Sequence, residues 1–313
     1  MARHIVHRLL IAIPAVFGVL FVGFLLLQVV PADPATIIAG PEAKADVIAA
    51  IRKELGLDEP ILYQFMIYIL RVLHGDLGRS IISNTRVIEE LAHTMGPTVE
   101  LMLAAMLWAV PSGIALGTLA AVKRGGISDR LIMAISVAGV SMPIFFLGLL
   151  LIQYVGFKAG LLPFTGRAGP MWTVEGLRSI VLPAVTLGGV LVGPIARLTR
   201  TAVLEVLSAD FVRTARAKGL PERVVVIHHA LRNALIPVVT LIGLQAAFLL
   251  GGAVVTETMF AWPGVGRLAV GAIISSDFPV AQGAIMILAV AFLVINLIVD
   301  LLYAFLDPRV QKR

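Results

Sequence analysis

Two carboxylates, Glu100 and Asp300, fall inside long apolar stretches. Ionisable groups at membrane depth ordinarily mark ion paths or proton relays. Glu100 lies three residues after Pro97, where the start of a helix stabilises an anion unaided. Asp300 stands five residues before the end of its stretch; it either pairs with a nearby basic residue or serves a transport path. A proton- or sodium-coupled carrier needs a richer set of buried acids, histidines and polar groups, so the driving force is expected elsewhere. Enzyme chemistry finds no foothold. H-E-x-x-H, G-x-S-x-G and the phosphate-binding Walker A loop are all missing. Zero cysteines exclude thiol catalysis, Cys-ligated zinc and iron–sulfur clusters. His228 and His229 are adjacent, point in different directions on a helix and make a poor metal pair. No catalytic or metal residue is assigned. If ATP is used, another chain binds it.

The elements that position these residues follow from composition. The 313 residues are 59% hydrophobic and 14% charged, with mean hydropathy +0.97. Soluble domains carry about 25% charged residues, so a polytopic, all-α membrane protein is expected. A spanning helix needs roughly 20 apolar residues. Six segments qualify: Leu9–Val30, Pro97–Val122, Leu131–Phe157, Ile180–Ala196, Ala234–Val255 and Val280–Phe305. The first exceeds the roughly 7–15 residues of a signal peptide's apolar core and reads as an uncleaved span. With the N-terminus inside, the inner segments hold 15 Lys/Arg and 5 acids, the outer ones 10 Lys/Arg and 12 acids. The positive-inside rule therefore favours both termini inside. The formal charge of +6 reflects topology and needs no nucleic acid.

Three regions follow: residues 1–30 with the first span, a helical outer segment over 31–96, and a core over 97–313. In the outer segment Asp46–Leu55 is amphipathic and stops at Gly56. Asp58-Glu59-Pro60 then offers a cap and a first-turn proline for a second helix. That apolar run is 13 residues long and should lie in the interface or against the bundle. Gly113-xxx-Gly117 and Gly189-xxx-Gly193 are small-xxx-small steps that permit close helix contact. The cluster Gly188, Gly189, Gly193 and Pro194 in the short fourth span either packs tightly or loosens the helix along a substrate path. Candidate path residues are Ser141, Pro143, Gly189, Gly193 and Pro194.

The inner loop Arg197–Asn233 carries seven of the 25 basic residues. Ser208-Ala209-Asp210 offers a cap, Phe211–Lys218 a short helix, Gly219 its stop, and Pro221 the start of the next helix. Phe211, Val212 and Ala215 form an apolar edge beside Arg213, Arg216 and Lys218. A short helix with a small-residue face suits insertion into a partner's groove; binding at the lipid surface is the alternative.

This loop, Asp210–Leu220 followed by His229–Pro237, resembles the coupling loop of binding-protein-dependent ABC importer permeases, in their peptide/nickel branch. Arg213-Thr214-Ala215 stands where the general family pattern has Glu-Ala-Ala, and Gly219 stands at its glycine. Arg213 replaces the glutamate, as in the peptide branch. Pro31-Ala32-Asp33-Pro34, His74-Gly75-Asp76-Leu77-Gly78, Ser141-Met142-Pro143 and Phe260-Ala261-Trp262-Pro263-Gly264 fit in the same order. Residues 38–43 look closest to glutathione- and dipeptide-type members. The resemblance implies a type I importer permease fold in the bacterial inner membrane. It implies a second permease subunit, two cytoplasmic ATPases that bind ATP and Mg, and a periplasmic binding protein; the chain itself would hold no cofactor. Asp210, Arg213, Ala215, Arg216, Lys218 and Gly219 would form the ATPase-coupling loop. Phe260, Trp262, Pro263 and Gly264 lie where related importers can project a loop toward the binding protein; interfacial anchoring by the Trp and a tight turn are the alternative. The implied cargo is a small peptide-like solute. A nickel-type or other non-peptide cargo, and a stand-alone ion-coupled carrier, are the alternatives.

Overall fold

The computed structural model describes residues 13–25, 34–39, 43–54 and 56–306. These residues are almost wholly helical, and their one β-type pairing is the isolated bridge between Arg79 and Arg86. The chain divides into two compact units. Among the described residues, one comprises 99–262 with 294–306, the other those within 13–98 with 263–293.

In the first unit, α5 (Val87–Val122) enters from residue 99, and α6 (Ile127–Ser141), α7 (Ile144–Leu150) and a π-helical turn over Leu151–Lys158 follow. Then come α8 (Val174–Leu207), α9 (Asp210–Ala217) and α10 (Glu222–Val224). A second π-helical stretch, Val225–Leu231, leads into α11 (Arg232–Met259). Helix α8 lies at the centre and packs against both α6 and α11. Its glycine-rich face explains how closely the helices approach. A Cβ on Gly113 would lie 2.7 Å from Ile195 Cγ2, and one on Gly117 would overlap the Ala196 carbonyl oxygen. Without side chains there, α5 and α8 meet backbone to backbone. On the other side Gly189 faces Leu147 of α7, and Gly193 faces the Ser136 carbonyl of α6.

Of the two alternatives for the fourth span, close packing is the one seen: it is a continuous 34-residue helix running through Pro183 and Pro194, and Gly188, Gly189 and Gly193 meet neighbouring helices closely. One expectation for this unit is corrected. Leu131–Phe157 is not one straight helix. The arms Ile127–Ser141 and Ile144–Lys158 meet at 104°. The break falls at Pro143: a proline disfavours the helical conformation for the residue before it, and here Met142 leaves the helix, extended at φ −84°, ψ 123°, whereas α8 continues through Pro183 and Pro194.

In the second unit, α1 (Ile13–Leu25) precedes the short helices α2 (Pro34–Ala39), α3 (Ala45–Glu54) and α4 (Ile61–Leu73). Helix α3 ends through Gly56 at φ +67°, where the Leu57 N–H donates to the Arg52 carbonyl at 3.0 Å. Asp58 does not cap α4. Pro60 holds the cap position, and Gln64 Nε2 reaches back to the carbonyls of Leu57 (3.0 Å) and Glu59 (2.7 Å). Phe65 packs edge-on against Phe21 of α1 with ring centres 5.0 Å apart, while Leu62, Met66 and Leu73 on α4 remain exposed. The first turns of α5 pack through Val87 and Leu91 on α12 (Val265–Ile274) and the start of α13 (Phe278–Leu306). Ser80 Oγ donates to the buried Asp277 carboxylate, which also accepts from the Ile81 N–H at 3.1 Å.

Among the described residues four continuous helices are long and apolar enough to cross a membrane, and the bent pair adds a fifth if its two arms count as one span. Most of the expected first span beyond Ile13–Leu25, the Pro31-Ala32-Asp33 signature, residues 40–42 and the side chain of Asp300 lie outside the described residues.

Candidate functional site: the loop helix and its mounting

Helix α8 ends at Leu207, where Ser208 Oγ donates to the Glu205 carbonyl at 2.7 Å. Ser208 therefore closes α8 and does not cap α9. The cap position of α9 is Ala209, extended at ψ 149°, with no side-chain cap. Eight residues with no cap are too few to hold a helix in water, so α9 depends on its tertiary mounting. Val212 is fully buried and Ala215 is 5% exposed; together with Val225 they form a small core against Val206 and Leu207. This corrects the reading of the small-residue edge. Val212 and Ala215 fasten α9 to the chain's own helices and are not available to a partner's groove.

The loop's return is fixed twice. Gly219 sits at φ +75°, a conformation that costs a residue with a Cβ, and its N–H donates to the Arg216 carbonyl at 2.9 Å. Arg216 then grips Glu222 through Nε at 3.1 Å and Nη2 at 2.6 Å. The Glu222 carboxylate holds the Arg216 guanidinium above its ordinary pKa. Asp210 and Arg213 approach to 3.5 Å with side chains 96% and 74% exposed, a pair of little energetic weight. What α9 presents outward is Asp210, Phe211, Arg213, Lys218 and Gly219. The structure thus brings the six expected loop residues together and sorts them: Ala215 faces in, Arg216 is tied to the return, and the others face out.

Other expected residues are placed as follows. Ser141 and Pro143 stand exposed at the α6–α7 elbow, whose two arms rest on Gly193 and Gly189 of α8. Pro194 is half-buried one residue on. Phe260 and Trp262 are fully buried, the Phe260 carbonyl accepts from Gly166 at 2.7 Å, and the Trp262 N–H donates to Glu257 at 2.8 Å. These two rings are spent inside the chain and cannot meet a partner; Pro263 is exposed and Gly264 buried. Glu100 is not in a first turn, because α5 begins at Val87. Its carboxylate is 7% exposed, accepts Arg167 Nε at 2.7 Å and also accepts the Met171 N–H.

Sequence reasoning named the partner in none of these ion pairs, and a third, of Asp129 with Arg200, it missed altogether. Asp129, 4% exposed, accepts Arg200 Nε and Nη2 at 2.6 and 2.7 Å and the Gly125 N–H at 2.9 Å. It fastens the start of α6 to the lower part of α8, close to the loop helix in sequence. The available signal was an acid in the first turn after Gly125-Gly126, which does not name its partner. Glu257, two residues beyond the expected fifth span, is fully buried in α11.

Residues 113–312 match the family described as the binding-protein-dependent transport system inner membrane component. Residues 1–101 match the N-terminal part of such membrane components. The glutathione transport system permease protein GsiC of Escherichia coli O6:H1 is 46% identical over 313 residues, the full length of both chains. GsiC of E. coli K12 and of Salmonella paratyphi A are each 45% identical over the same length. Among solved structures, an inward-facing form of the MetNI methionine ABC transporter superposes with a TM-score of 0.57. It shares 19% identity and covers 70% of this chain and 97% of its own. That likeness shows the type I importer permease fold.

Proposed function

This chain belongs to the family of binding-protein-dependent transport system inner membrane components and is a permease half of an ABC importer for a peptide-like solute; we propose that its cargo is glutathione or a di- or oligopeptide. The proposed assembly holds a second permease subunit, two cytoplasmic ATPases carrying ATP and Mg, and a periplasmic binding protein that delivers the cargo. It sits in the bacterial inner membrane with both chain termini inside. ATP hydrolysis is assigned to the partner subunits.

The observation that carries this reading is the division of labour on α9. A short helix held by Val212 and Ala215 presents Phe211, Arg213 and Lys218 outward. Closure of the ATPases would push on that face. The push would reach α8 and α11 through the Val225 mounting and the Arg216–Glu222 tie, and α6 through Asp129–Arg200. Selectivity rests with the binding protein together with the pathway between the two permeases.

The reading is tested by Arg213→Cys in the complete transporter. It should cross-link to a cysteine placed in an ATPase subunit, and Arg213→Glu should leave assembly intact while cutting ATP-driven uptake at least ten-fold. Full uptake with Arg213→Glu and no cross-link would refute the coupling role.

A further inference from the structure

We propose that the first unit carries a binding site for one anionic phospholipid of the inner leaflet. The site is a cleft of about 680 Å³ between the C-terminal half of α5 and the π-helical entry to α11. That volume falls within the roughly 300–1,000 Å³ typical of ligand pockets. Its walls are apolar: Val110, Ile114, Ala115, Leu119, Val226 and Leu231. The polar side chain along its length, Thr118, spends its hydroxyl on the Ile114 carbonyl at 2.8 Å. Nothing along these walls would hold the amides of a peptide. A hydrocarbon chain fits them.

Charge is confined to one end. Glu222 and Arg223 line that end, and Arg216 neutralises Glu222. Arg223 makes no ion pair or hydrogen bond among the described residues and is exposed. Lys123, exposed and likewise without an ion pair, follows the lining residue Val122 and stands four residues after Leu119 on the same face of α5. The cleft is therefore an apolar trough with one unpaired cation, Arg223, in its lining and a second, Lys123, next in sequence to the lining Val122. A phosphate headgroup with one acyl chain complements both parts. Basic pockets between spanning helices on the cytoplasmic side are where such headgroups bind. A helix of the partner permease laid over the same trough would bring no charge for Arg223 and Lys123 unless it carried acids at that level. The inner-leaflet assignment rests on the proposed topology, in which this end of α5 faces the cytoplasm.

The test uses the assembled transporter, purified in mild detergent, stripped of lipid and titrated with phosphatidylglycerol or phosphatidylcholine under native mass spectrometry. The expected result is one phosphatidylglycerol retained per copy of this chain, in preference to phosphatidylcholine. Arg223→Gln and Lys123→Gln should each weaken retention roughly five-fold, the factor contributed by one basic residue near an anionic surface. Ala115→Trp, which fills the trough, should abolish retention. Equal retention of the two lipids, or retention unchanged in the Arg223→Gln/Lys123→Gln double variant, would overturn the site. Efficient cross-linking of Ala115→Cys to the partner permease would overturn it too. ATP-driven uptake by the same preparation reports separately on the transport reading, so either can fail alone.

Discussion

Replacing Val212 by alanine should loosen α9 without disturbing the membrane-spanning helices. Val212 has no exposed surface and packs with Ala215 on Val225. The substitution removes two buried methyl groups, worth about 0.8 kcal/mol each by transfer, and leaves a small void; the total is about 2 kcal/mol. Transfer energies apply because α9 lies in the polar loop, where water is the competing solvent. Such a loss raises the open fraction of a local equilibrium about 30-fold. The helix has no side-chain cap to compensate, so the effect should stay local. Amide hydrogen exchange reads it directly. Peptides covering Arg213–Gly219, whose N–H groups bond to Ala209, Thr214 and Arg216, should exchange about 30-fold faster, and peptides from α8 and α11 should be unchanged. Arg213→Ala, at a side chain 74% exposed, should leave exchange untouched while weakening ATPase docking. Unaltered exchange in Val212→Ala would refute the claim that this small core mounts the helix.

Gly117→Ala should destabilise the purified transporter by about 1–3 kcal/mol, because its Cβ would overlap the Ala196 carbonyl and lie 2.7 Å from Thr199 Cβ. Gly251→Ala, which meets nothing within 4 Å, should be neutral or stabilising by up to about 1 kcal/mol; thermal unfolding of the two variants side by side would expose an error if both behaved alike. Arg167→Ala leaves the Glu100 carboxylate buried, with the Met171 N–H as its remaining hydrogen-bond donor from the 159–173 loop. A broken buried pair costs about 3 kcal/mol, so protease nicking between residues 159 and 173 should rise sharply, and resistance equal to wild type would count against the tether.

Much of this was legible before any coordinates, and the reasons differ by element. The helix over Ala45–Glu54 and its glycine stop are set by local chemistry within a few residues, which a linear reading captures; the bounds of the loop helix were readable from Asp210 and Gly219, while its stability comes from tertiary packing. The two small-xxx-small steps were readable because a missing side chain has the same meaning in any helix interface. The elbow at Met142-Pro143 was signalled by its proline but hidden by uninterrupted hydropathy, since apolar residues continue across the break. Charge pairing was the least legible. Asp129 with Arg200 and Glu100 with Arg167 join residues about 70 positions apart, and hydropathy places each partner in a loop or span without indicating what it faces. The inward turn of Val212 and Ala215 escaped for a related reason: an apolar edge on a short helix looks the same whether it meets a partner or its own chain.

The central claim is that this chain conducts a peptide-like solute only as part of an ATP-driven assembly. The direct measurement is uptake of radiolabelled glutathione and of a dipeptide into proteoliposomes. These would contain this permease, its partner permease and the two ATPases, with binding protein added at the outer face. Uptake that needs both ATP and binding protein, and that collapses in Arg213→Glu, is the predicted result. Uptake by this chain alone, driven by a proton or sodium gradient and indifferent to ATP, would contradict it.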